Sequence, residues 1–354
     1  MVTIPASVFE IDSDWLSEAL GRRVQVDRVE QIAVGEGFVG QLGRLHLADG
    51  ETLIAKMPTA DPGGRFIGEL LRLWEREGRF YEHVAPKLSI RVARAHVNLA
   101  DDEAKRYLLV MDDLAPARAA DQVAGATPGQ ARQVVEYIGH FHAQWWEHPM
   151  LDELTWMPRI DDPTTKMVTP MFLQGWSAFQ ERFKDVLPRR TLDWVQAFGP
   201  TCADFLDLYA DDPVTIIHGD FRLDNMMFDE AGDVTLVDWQ MATRAPGFSD
   251  IVYFVGTNLE PDVREAHLDS LLKLYVNTLA AGGVAVPDDD VIHDSLRKGI
   301  LMWMVAMAGG IGTLDPANER GVALFDKIIT RLFTTGDAID AGQFLPGWLA
   351  QWKG

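Results

Sequence analysis

Alternating apolar and polar residues predict a small antiparallel sheet in the amino-terminal part of this 354-residue chain. Residues 41–47 alternate as a half-buried strand does, and an Asp-Gly turn at 49–50 follows them. The next apolar run, Thr52–Lys56, ends in a lysine, and a further run, Arg106–Met111, stops at a polar turn. These segments predict that the first third of the chain is rich in strands.

The apolar residues change to helical spacing farther along the chain. Thr127 and Pro128 are typical of a helix start, and apolar residues then recur every three or four positions. Other stretches with helical spacing are 66–83, 263–279, 291–307 and 322–333. We therefore expect an α+β fold with a small antiparallel-sheet lobe at 1–111 and a large, mainly helical lobe at 112–354, including a helical insert at about 120–210.

The segment between residues 214 and 238 carries the clearest chemical signal. An apolar run, Val214–Ile217, precedes the sequence His-Gly-Asp-Phe-Arg-Leu-Asp-Asn at 218–225. A turn-rich segment follows, and a second apolar run then ends at Asp238. This spacing matches a catalytic loop and a magnesium-binding aspartate of enzymes that transfer phosphoryl groups.

Each polar residue of this segment has a predicted role. A transferring phosphoryl group spreads negative charge over its oxygens, so the protein mainly positions the reactants and neutralises charge. Asp220 is suited to orient an attacking hydroxyl, and the oxygens of Asn225 and Asp238 are suited to Mg²⁺. The alternative is that these polar residues only cap turns and hold a loop.

With these residues the chain resembles the aminoglycoside phosphotransferase and choline kinase superfamily, including its ecdysteroid-kinase-like branch. The resemblance extends from about Val34 to the helices beyond Asp250. It implies a two-lobed, protein-kinase-like fold with ATP between the lobes. It also implies a catalytic role for Asp220, magnesium binding by Asn225 and Asp238, and structural roles for His218 and Asp250, the latter as a helix N-cap and loop anchor.

Glycines at 35, 37 and 40 form the pattern G-x-G-x-x-G. We expect Gly35, Gly37 and Gly40 to cover the phosphates of the nucleotide. A dinucleotide-binding turn or an ordinary loop would fit the same pattern. A dinucleotide-binding turn must open a helix, however, whereas a strand-like segment follows here.

Lys56 is the predicted phosphate-binding cation. An apolar strand disfavours a lone ammonium group, so this lysine needs an anionic partner. We expect Glu77 to be that partner, with Glu69 as the second candidate. The alternatives are a lysine that reaches solvent from the end of a strand and a glutamate on a solvated helix face.

The end of the apolar run at Met111 is the predicted hinge between the lobes. In the family that the chain resembles, backbone groups at this place bind adenine. That implies nucleotide contacts from Met111, Asp112 and Leu114. A simple polar turn after a strand is compatible with the same residues.

Charge and composition restrict the partners. The formal net charge is −21, and residues 1–111 hold 14 basic and 17 acidic residues while the remainder holds 18 and 36. This acidity disfavours nucleic acid and anionic membranes and allows either a cationic acceptor or simple solubility. The single cysteine, Cys202, excludes a disulfide framework, and without an export signal or bilayer-spanning run we expect a cytoplasmic protein.

The sequence thus predicts a kinase that uses ATP and Mg²⁺ to phosphorylate a hydroxyl of a small molecule. The alternatives are a catalytically silent nucleotide-binding protein and a protein kinase, although only a short interval at 239–250 is available for an activation segment. The acceptor, the choice of ATP or GTP and the oligomeric state stay open. Tryptophans at 145, 146, 156 and 176 and residues 302–307 fit either core packing or an acceptor site.

Overall fold

The structure is a computed structural model that describes residues 2–32, 40–314 and 317–352, without the side chain of Thr313. The chain divides into two compact units. The first unit comprises Met1–Arg118 together with Thr235–Ala242. The second comprises Ala119–Val234 and Thr243–Gly354.

A five-stranded antiparallel sheet forms the centre of the first unit, with strand order β1-β2-β3-β5-β4. Its strands are β1 (Val26–Ile32), β2 (Gly40–Leu47), β3 (Thr52–Pro58), β4 (Ala95–Asp101) and β5 (Arg106–Asp112). The predicted strands are therefore confirmed, with one correction. Strand β3 continues to Pro58 because Met57 and Pro58 still pair with β2, so Lys56 lies inside a strand and not at its end.

The two faces of this sheet have different coverings. Helix α1 (Ser13–Leu20) and a 3₁₀ turn at Val8–Glu10 supply Leu16 and Val8 to a core that also contains Leu45. All three side chains are fully buried. Lys56 follows Ala55 of that core along β3, and successive side chains of a strand point to opposite faces. Lys56 therefore projects from the opposite face of the sheet.

The stretch at 66–83 is helical, as predicted, but it is divided between two helices. They are α2 (Pro62–Leu70) and α3 (Leu73–His83). Arg72 between them adopts a left-handed conformation with φ of 54°. The turn brings the Trp74 ring over Gly68, where a β-carbon would lie 2.3 Å from the indole. A residue with any side chain at Gly68 would obstruct this packing.

The second unit is mainly helical, as predicted. Its helices are α4 (Pro128–Trp145), α5 (Val168–Phe183), α6 (Arg189–Phe198), α7 (Cys202–Tyr209), α8 (Phe248–Asn258), α9 (Pro261–Ala281), α10 (Asp289–Gly309), α11 (Glu319–Ala338) and α12 (Leu345–Trp352). Every residue of α8 is buried, and α8 packs against α10 and α11. Throughout the described ranges, no helix has both the length and the apolar character needed to cross a bilayer.

Short strands bring the chain to the polar segment identified in the sequence. They are β6 (Arg118–Ala119), β7 (Val214–Ile217), β8 (Met226–Phe228), β9 (Val234–Leu236) and β10 (Thr243–Pro246). Strand β7 pairs antiparallel with β10 and ends directly before His218, as predicted. A turn with a hydrogen bond from Gly232 N to Asp229 O lies between β8 and β9.

Candidate active site

Lys56 lies between two carboxylates in the first unit. Its Nζ is 2.7 Å from Glu77 Oε2 and 2.7 Å from Asp238 Oδ1. Glu77 comes from α3, and Asp238 follows β9. We call these three residues the Lys56 cluster. The predicted pair of Lys56 and Glu77 is thus present, whereas Glu69 pairs with Arg65 on the surface.

The Lys56 cluster holds two carboxylates and one ammonium group, and burial strengthens the effect of each charge on the others. Lys56 and Glu77 are only 9% and 3% exposed, which excludes the solvated alternatives for both. Burial would lower the pKa of Lys56, but Asp238 and Glu77 outweigh this and raise it. Burial, together with repulsion from Asp238, raises the pKa of Glu77 to about 7. The positive charge of Lys56 offsets only part of this rise. One cation therefore serves two carboxylates.

Asp238 has an uncommon backbone conformation that aims its side chain. Its φ of 66° and ψ of 63° lie in the left-handed region, which few residues other than glycine adopt. Such conformations cost free energy and persist where the surrounding structure enforces them. A 3₁₀ turn at Trp239–Met241 begins immediately afterwards, and Gln240 Nε2 lies 3.4 Å from Asp238 Oδ2. This local geometry directs Oδ1 towards Lys56.

The glycine pattern is only partly visible. Gly35 and Gly37 lie outside the described residues, whereas Gly40 begins β2. A β-carbon at Gly40 would lie 3.7 Å from Lys56 Cε, so β2 passes close to the lysine. The predicted nucleotide contacts of Gly35, Gly37 and Gly40 stay predictions.

At the predicted hinge, some backbone groups already have partners. The N–H of Asp112 donates to Arg94 O, and the carbonyl of Leu114 accepts from Ala117 N. The carboxylate of Asp112 binds His96 Nε2 at 2.7 Å. Within the described part of the chain, the N–H of Leu114 has no hydrogen-bond partner. Leu114 therefore retains one donor that a planar ring could use.

A cavity of about 390 Å³ lies in the first unit on the α3 side of β3. Its wall includes Lys56, Glu77, Trp74 and Tyr107, but neither Gly40 nor the hinge residues. This cavity therefore reaches the Lys56 cluster from the side of α3. It does not coincide with the predicted adenine contacts.

In the second unit, α8 holds the loop at 218–225 at two points. Asp250 Oδ2 accepts from His218 N at 2.7 Å, and Asp250 Oδ1 accepts from Gly219 N at 3.1 Å. Two helical turns later, Asn258 Oδ1 accepts from Leu223 N at 2.9 Å. The loop also needs Gly219 itself, whose φ of 79° favours glycine. The role of Asn258 could not be predicted from the sequence, because no local motif identifies it.

Asp250 is a loop anchor, as expected, but the prediction that it caps α8 is wrong. Helix α8 begins at Phe248, so Asp250 lies in its first turn. Its carboxylate is fully buried and lies 3.4 Å from His142 Nε2. His142 Nδ1 is 2.8 Å from the hydroxyl of Tyr275. His142 is thus a packed, partnered histidine behind the loop.

Asp220 is fixed through one oxygen only. Its Oδ2 accepts from Asn225 Nδ2 at 2.9 Å and from Arg222 Nε at 3.0 Å. In the described part of the chain, its Oδ1 has no hydrogen-bond partner, and the side chain is 24% exposed. Burial would raise the pKa of Asp220, but the positive charge and hydrogen bond of Arg222 outweigh it and lower the pKa.

Arg222 is a site residue to which the sequence analysis gave no role. Besides Asp220, it contacts Asp224, with Nη1 at 2.8 Å from Asp224 Oδ2. The available signal was the alternation of charge at 220, 222 and 224, but in a loop this spacing does not predict which side chains meet.

Aromatic residues lie near Asp220. Burial and then the charge of Asp220 raise the pKa of Tyr253, whose ring centroid is 4.4 Å from that of Trp303. Trp303 is half-buried and donates from Nε1 to Ser249 O at 3.1 Å. Met302 and Met304 are buried, so these two fill the core. Trp303 and Met307 are both half-buried, so these two of the predicted residues on α10 stay candidates for contact with an acceptor.

The predicted tryptophan site receives less support. Trp145 is buried, and the Trp176 ring lies 5.1 Å from Phe172 and 5.7 Å from Phe179. Phe172 and Phe179 are buried residues of α5, the helix that carries Trp176, so these contacts are packing along one helix. Cys202 is also buried, and burial raises the pKa of its thiol.

The two predicted magnesium ligands fit oxygen coordination. Asn225 donates from its amide nitrogen to Asp220 O and Asp220 Oδ2, and among the residues that the structure describes its Oδ1 has no hydrogen-bond partner. Asp238 binds Lys56 through Oδ1, and its Oδ2 has a long contact of 3.4 Å with Gln240 Nε2. Hard oxygen donors of this kind suit Mg²⁺. Asn225 belongs to the second unit and Asp238 to the first.

Solved structures of small-molecule phosphotransferases share this fold. Spectinomycin phosphotransferase APH(9)-Ia, solved with ADP and spectinomycin, matches with a TM-score of 0.58 and 12% identity over 94% of this chain and 99% of that one. A putative aminoglycoside phosphotransferase from Ralstonia eutropha matches with a TM-score of 0.56 and 16% identity over 93% of this chain and 97% of that one. The macrolide 2'-phosphotransferase MphH from Brachybacterium faecium matches with a TM-score of 0.51 and 16% identity over 88% of this chain and 96% of that one.

Sequence comparison gives the family. No curated protein sequence matches the chain. The sequence model of the ecdysteroid kinase-like family matches residues 35–282, which include the Lys56 cluster and the whole loop held by α8. This match confirms the resemblance inferred from the motifs. The chain belongs to the ecdysteroid kinase-like family.

Proposed function

We propose that this protein transfers the γ-phosphate of ATP to a hydroxyl group of a small molecule. The observation that carries the proposal is the state of Asp220. One of its oxygens is fixed by Asn225 and Arg222, while the other has no protein partner in the described ranges. A carboxylate with one fixed and one available oxygen can orient a hydroxyl and accept its proton.

The Lys56 cluster supports the same reaction. A buried lysine with a charge supported by two carboxylates can neutralise phosphate oxygens without losing its proton. Asp238 and Asn225 would hold Mg²⁺, which when bound supplies positive charge to the nucleotide phosphates. Glu77 would keep Lys56 oriented when Asp238 turns its oxygens to the metal.

The acceptor is proposed to be a small molecule. Spectinomycin and macrolide phosphotransferases share the fold, and the interval at 239–250 is short. Trp303, which is half-buried and packs against the buried Tyr253, would offer an aromatic contact to an acceptor. We place the reaction in the cytoplasm, where ATP is available.

The experiment is a measurement of ADP release with Mg·ATP and a panel of hydroxyl compounds. The panel should include amino sugars, amino alcohols, macrolides and neutral polycyclic alcohols. Mass spectrometry of each positive reaction would identify the phosphorylated product. The matched control is Asp220→Ala, which should bind Mg·ATP and release acceptor-dependent ADP far more slowly.

Two results would contradict the proposal. Binding of Mg·ATP without ADP release from any compound would indicate a catalytically silent nucleotide-binding protein. Incorporation of labelled phosphate into a peptide mixture, but into no small molecule, would indicate a protein kinase.

A further inference from the structure

Arg222 lies between two carboxylates of the same loop. Its Nε is 3.0 Å from Asp220 Oδ2, and its Nη1 is 2.8 Å from Asp224 Oδ2. The three side chains are each about one-quarter exposed, at 26%, 24% and 26% for Arg222, Asp220 and Asp224. The guanidinium thus bridges the two carboxylates with two different nitrogens.

The geometry of the guanidinium group makes this bridge directional. Arginine is planar and presents its donors in a fixed fork, so a contact at Nη1 restricts where Nε can point. Asp224 therefore determines the orientation of the donor that reaches Asp220. A lysine has a single charged nitrogen on a flexible chain and could not define both directions.

The bridge acts on the same oxygen of Asp220 that Asn225 holds. Asn225 Nδ2 and Arg222 Nε both donate to Oδ2, at 2.9 Å and 3.0 Å. Two donors on one oxygen restrict the rotation of the carboxylate. The position of the other oxygen is then restricted as well, because the loop backbone is fixed by Asp250 and Asn258.

We infer that Arg222 is a positioning residue that orients Asp220 for proton acceptance, and that Asp224 orients Arg222. This inference rests on the proposed kinase function and adds two residues to its machinery. Neither residue needs to touch the acceptor or the nucleotide. The contribution of both residues is the alignment of Oδ1 of Asp220 with the acceptor hydroxyl.

The first test is steady-state kinetics of Arg222→Met with the acceptor identified for the unmodified protein. Misalignment of a catalytic group by about 1 Å costs about 10²-fold in rate, so kcat should fall by about that factor. The KM for ATP should stay unchanged, since Arg222 belongs to the loop of Asp220 and not to the Lys56 cluster. Arg222→Lys should recover part of kcat. The matched control is Arg189→Met, because Arg189 is 77% exposed and pairs with Asp193 on its own helix.

Two further measurements separate positioning from a purely structural role. Added guanidinium, at a concentration too low to unfold the protein, should restore part of kcat to a variant with Arg222→Ala, and methylammonium should restore less. Asp224→Asn should lower kcat by a smaller factor and should have no further effect when Arg222 is already Met. Such non-additivity is expected of residues that act through one another.

The outcomes are distinguishable. If the unmodified protein turns over an acceptor and Arg222→Met does so equally well, this inference is overturned and the kinase proposal stands. A loss of kcat that follows a loss of thermal stability, without rescue by guanidinium, would also overturn it. If the unmodified protein releases no ADP with any acceptor, both proposals fail together.

Discussion

The indole of Trp239 stacks on the ring of Phe80, with centroids 4.1 Å apart and planes 10° from parallel. Phe80 lies three residues after Glu77 on α3, and Trp239 directly follows Asp238. Both aromatic side chains are fully buried. This stack therefore links the backbone segments that supply the two carboxylates of the Lys56 cluster.

Phe80→Ala should weaken both the fold and nucleotide binding. Removal of a buried phenylalanine costs about 3–5 kcal/mol of unfolding free energy, and here the segment that carries Asp238 also loses its support. Urea denaturation and isothermal titration with Mg·ATP would measure the two effects. Phe9→Ala is the matched control, because Phe9 is 52% exposed. Equal behaviour of the two variants would contradict the role of the stack.

Glu77→Gln should stabilise the protein at neutral to alkaline pH while it lowers activity. Below about pH 4.5, Glu77 is neutral in both the folded and the unfolded chain, so the substitution changes little. As the pH rises from 4.5 to about 7, the unfolded chain ionises first and the folded protein loses relative stability. At about pH 8 the variant should be more stable by up to about 3 kcal/mol.

Urea denaturation in EDTA, from about pH 5 to pH 8, would measure this difference. Glu69→Gln is the control, because Glu69 is 37% exposed and pairs with Arg65. A stability difference between Glu77→Gln and the unmodified protein that is constant over this range would show that Glu77 titrates normally. The loss of activity is expected because Asp238 alone of the two carboxylates would then orient Lys56.

Lys56→Met should have the opposite effect on stability. Two carboxylates would be left together without their cation, and breaking a buried pair in this way costs about 3–5 kcal/mol. The loss should be largest at alkaline pH, where Glu77 is ionised. Lys184→Met is the control, since Lys184 is 48% exposed and pairs with Glu181. A variant as stable as this control would refute the burial of the cluster.

Substitutions of Asp220 and Asp238 should affect different steps of the proposed reaction. Asp220→Ala should lower kcat by about 10²- to 10⁴-fold, the usual contribution of a general base, while Mg·ATP binding persists. Asp238→Ala should weaken Mg·ATP binding as well, because a metal ligand is lost. Calorimetry with Mg·ATP and stopped-flow ADP release would separate the two steps. Full activity in either variant would reject its assigned role.

Trp303→Ala should change recognition of the acceptor and not of the nucleotide. Loss of an aromatic contact surface is worth about 1.5–3 kcal/mol, so the acceptor KM should rise by at least about 10-fold. The KM for ATP should be unaltered. Trp352→Ala is the matched control, as Trp352 is 44% exposed on α12. If both variants keep the acceptor KM, the acceptor does not lie against Trp303.

Local patterns in the sequence predicted most elements and one ion pair. The alternation in β2, the apolar run of β7 and the Thr-Pro start of α4 are short-range signals, and all three are confirmed. The Lys56–Glu77 pair could be predicted because an apolar strand disfavours a lone charge.

What the sequence could not predict depends on long-range or unusual backbone geometry. Arg72 interrupts a helical pattern through a left-handed conformation that its residue type does not indicate. The contacts of Asn258 with the loop and of Phe80 with Trp239 join residues 35 or more positions apart, and no periodicity reports them. The bridge from Arg222 to two aspartates lies in a loop, where spacing does not fix direction.

The first unit is built from two separate stretches of the chain, and this affects its biosynthesis. Lys56 and Asp238 are 182 residues apart, and Thr235–Ala242 returns to the unit that Met1–Arg118 begins. A nascent chain that has emerged from the ribosome only to residue 118 contains Lys56 and Glu77 but lacks Asp238 and the Trp239 ring. The amino-terminal unit can therefore be completed only after most of the polypeptide has been translated, and a severed amino-terminal fragment would lack a part of its own interior.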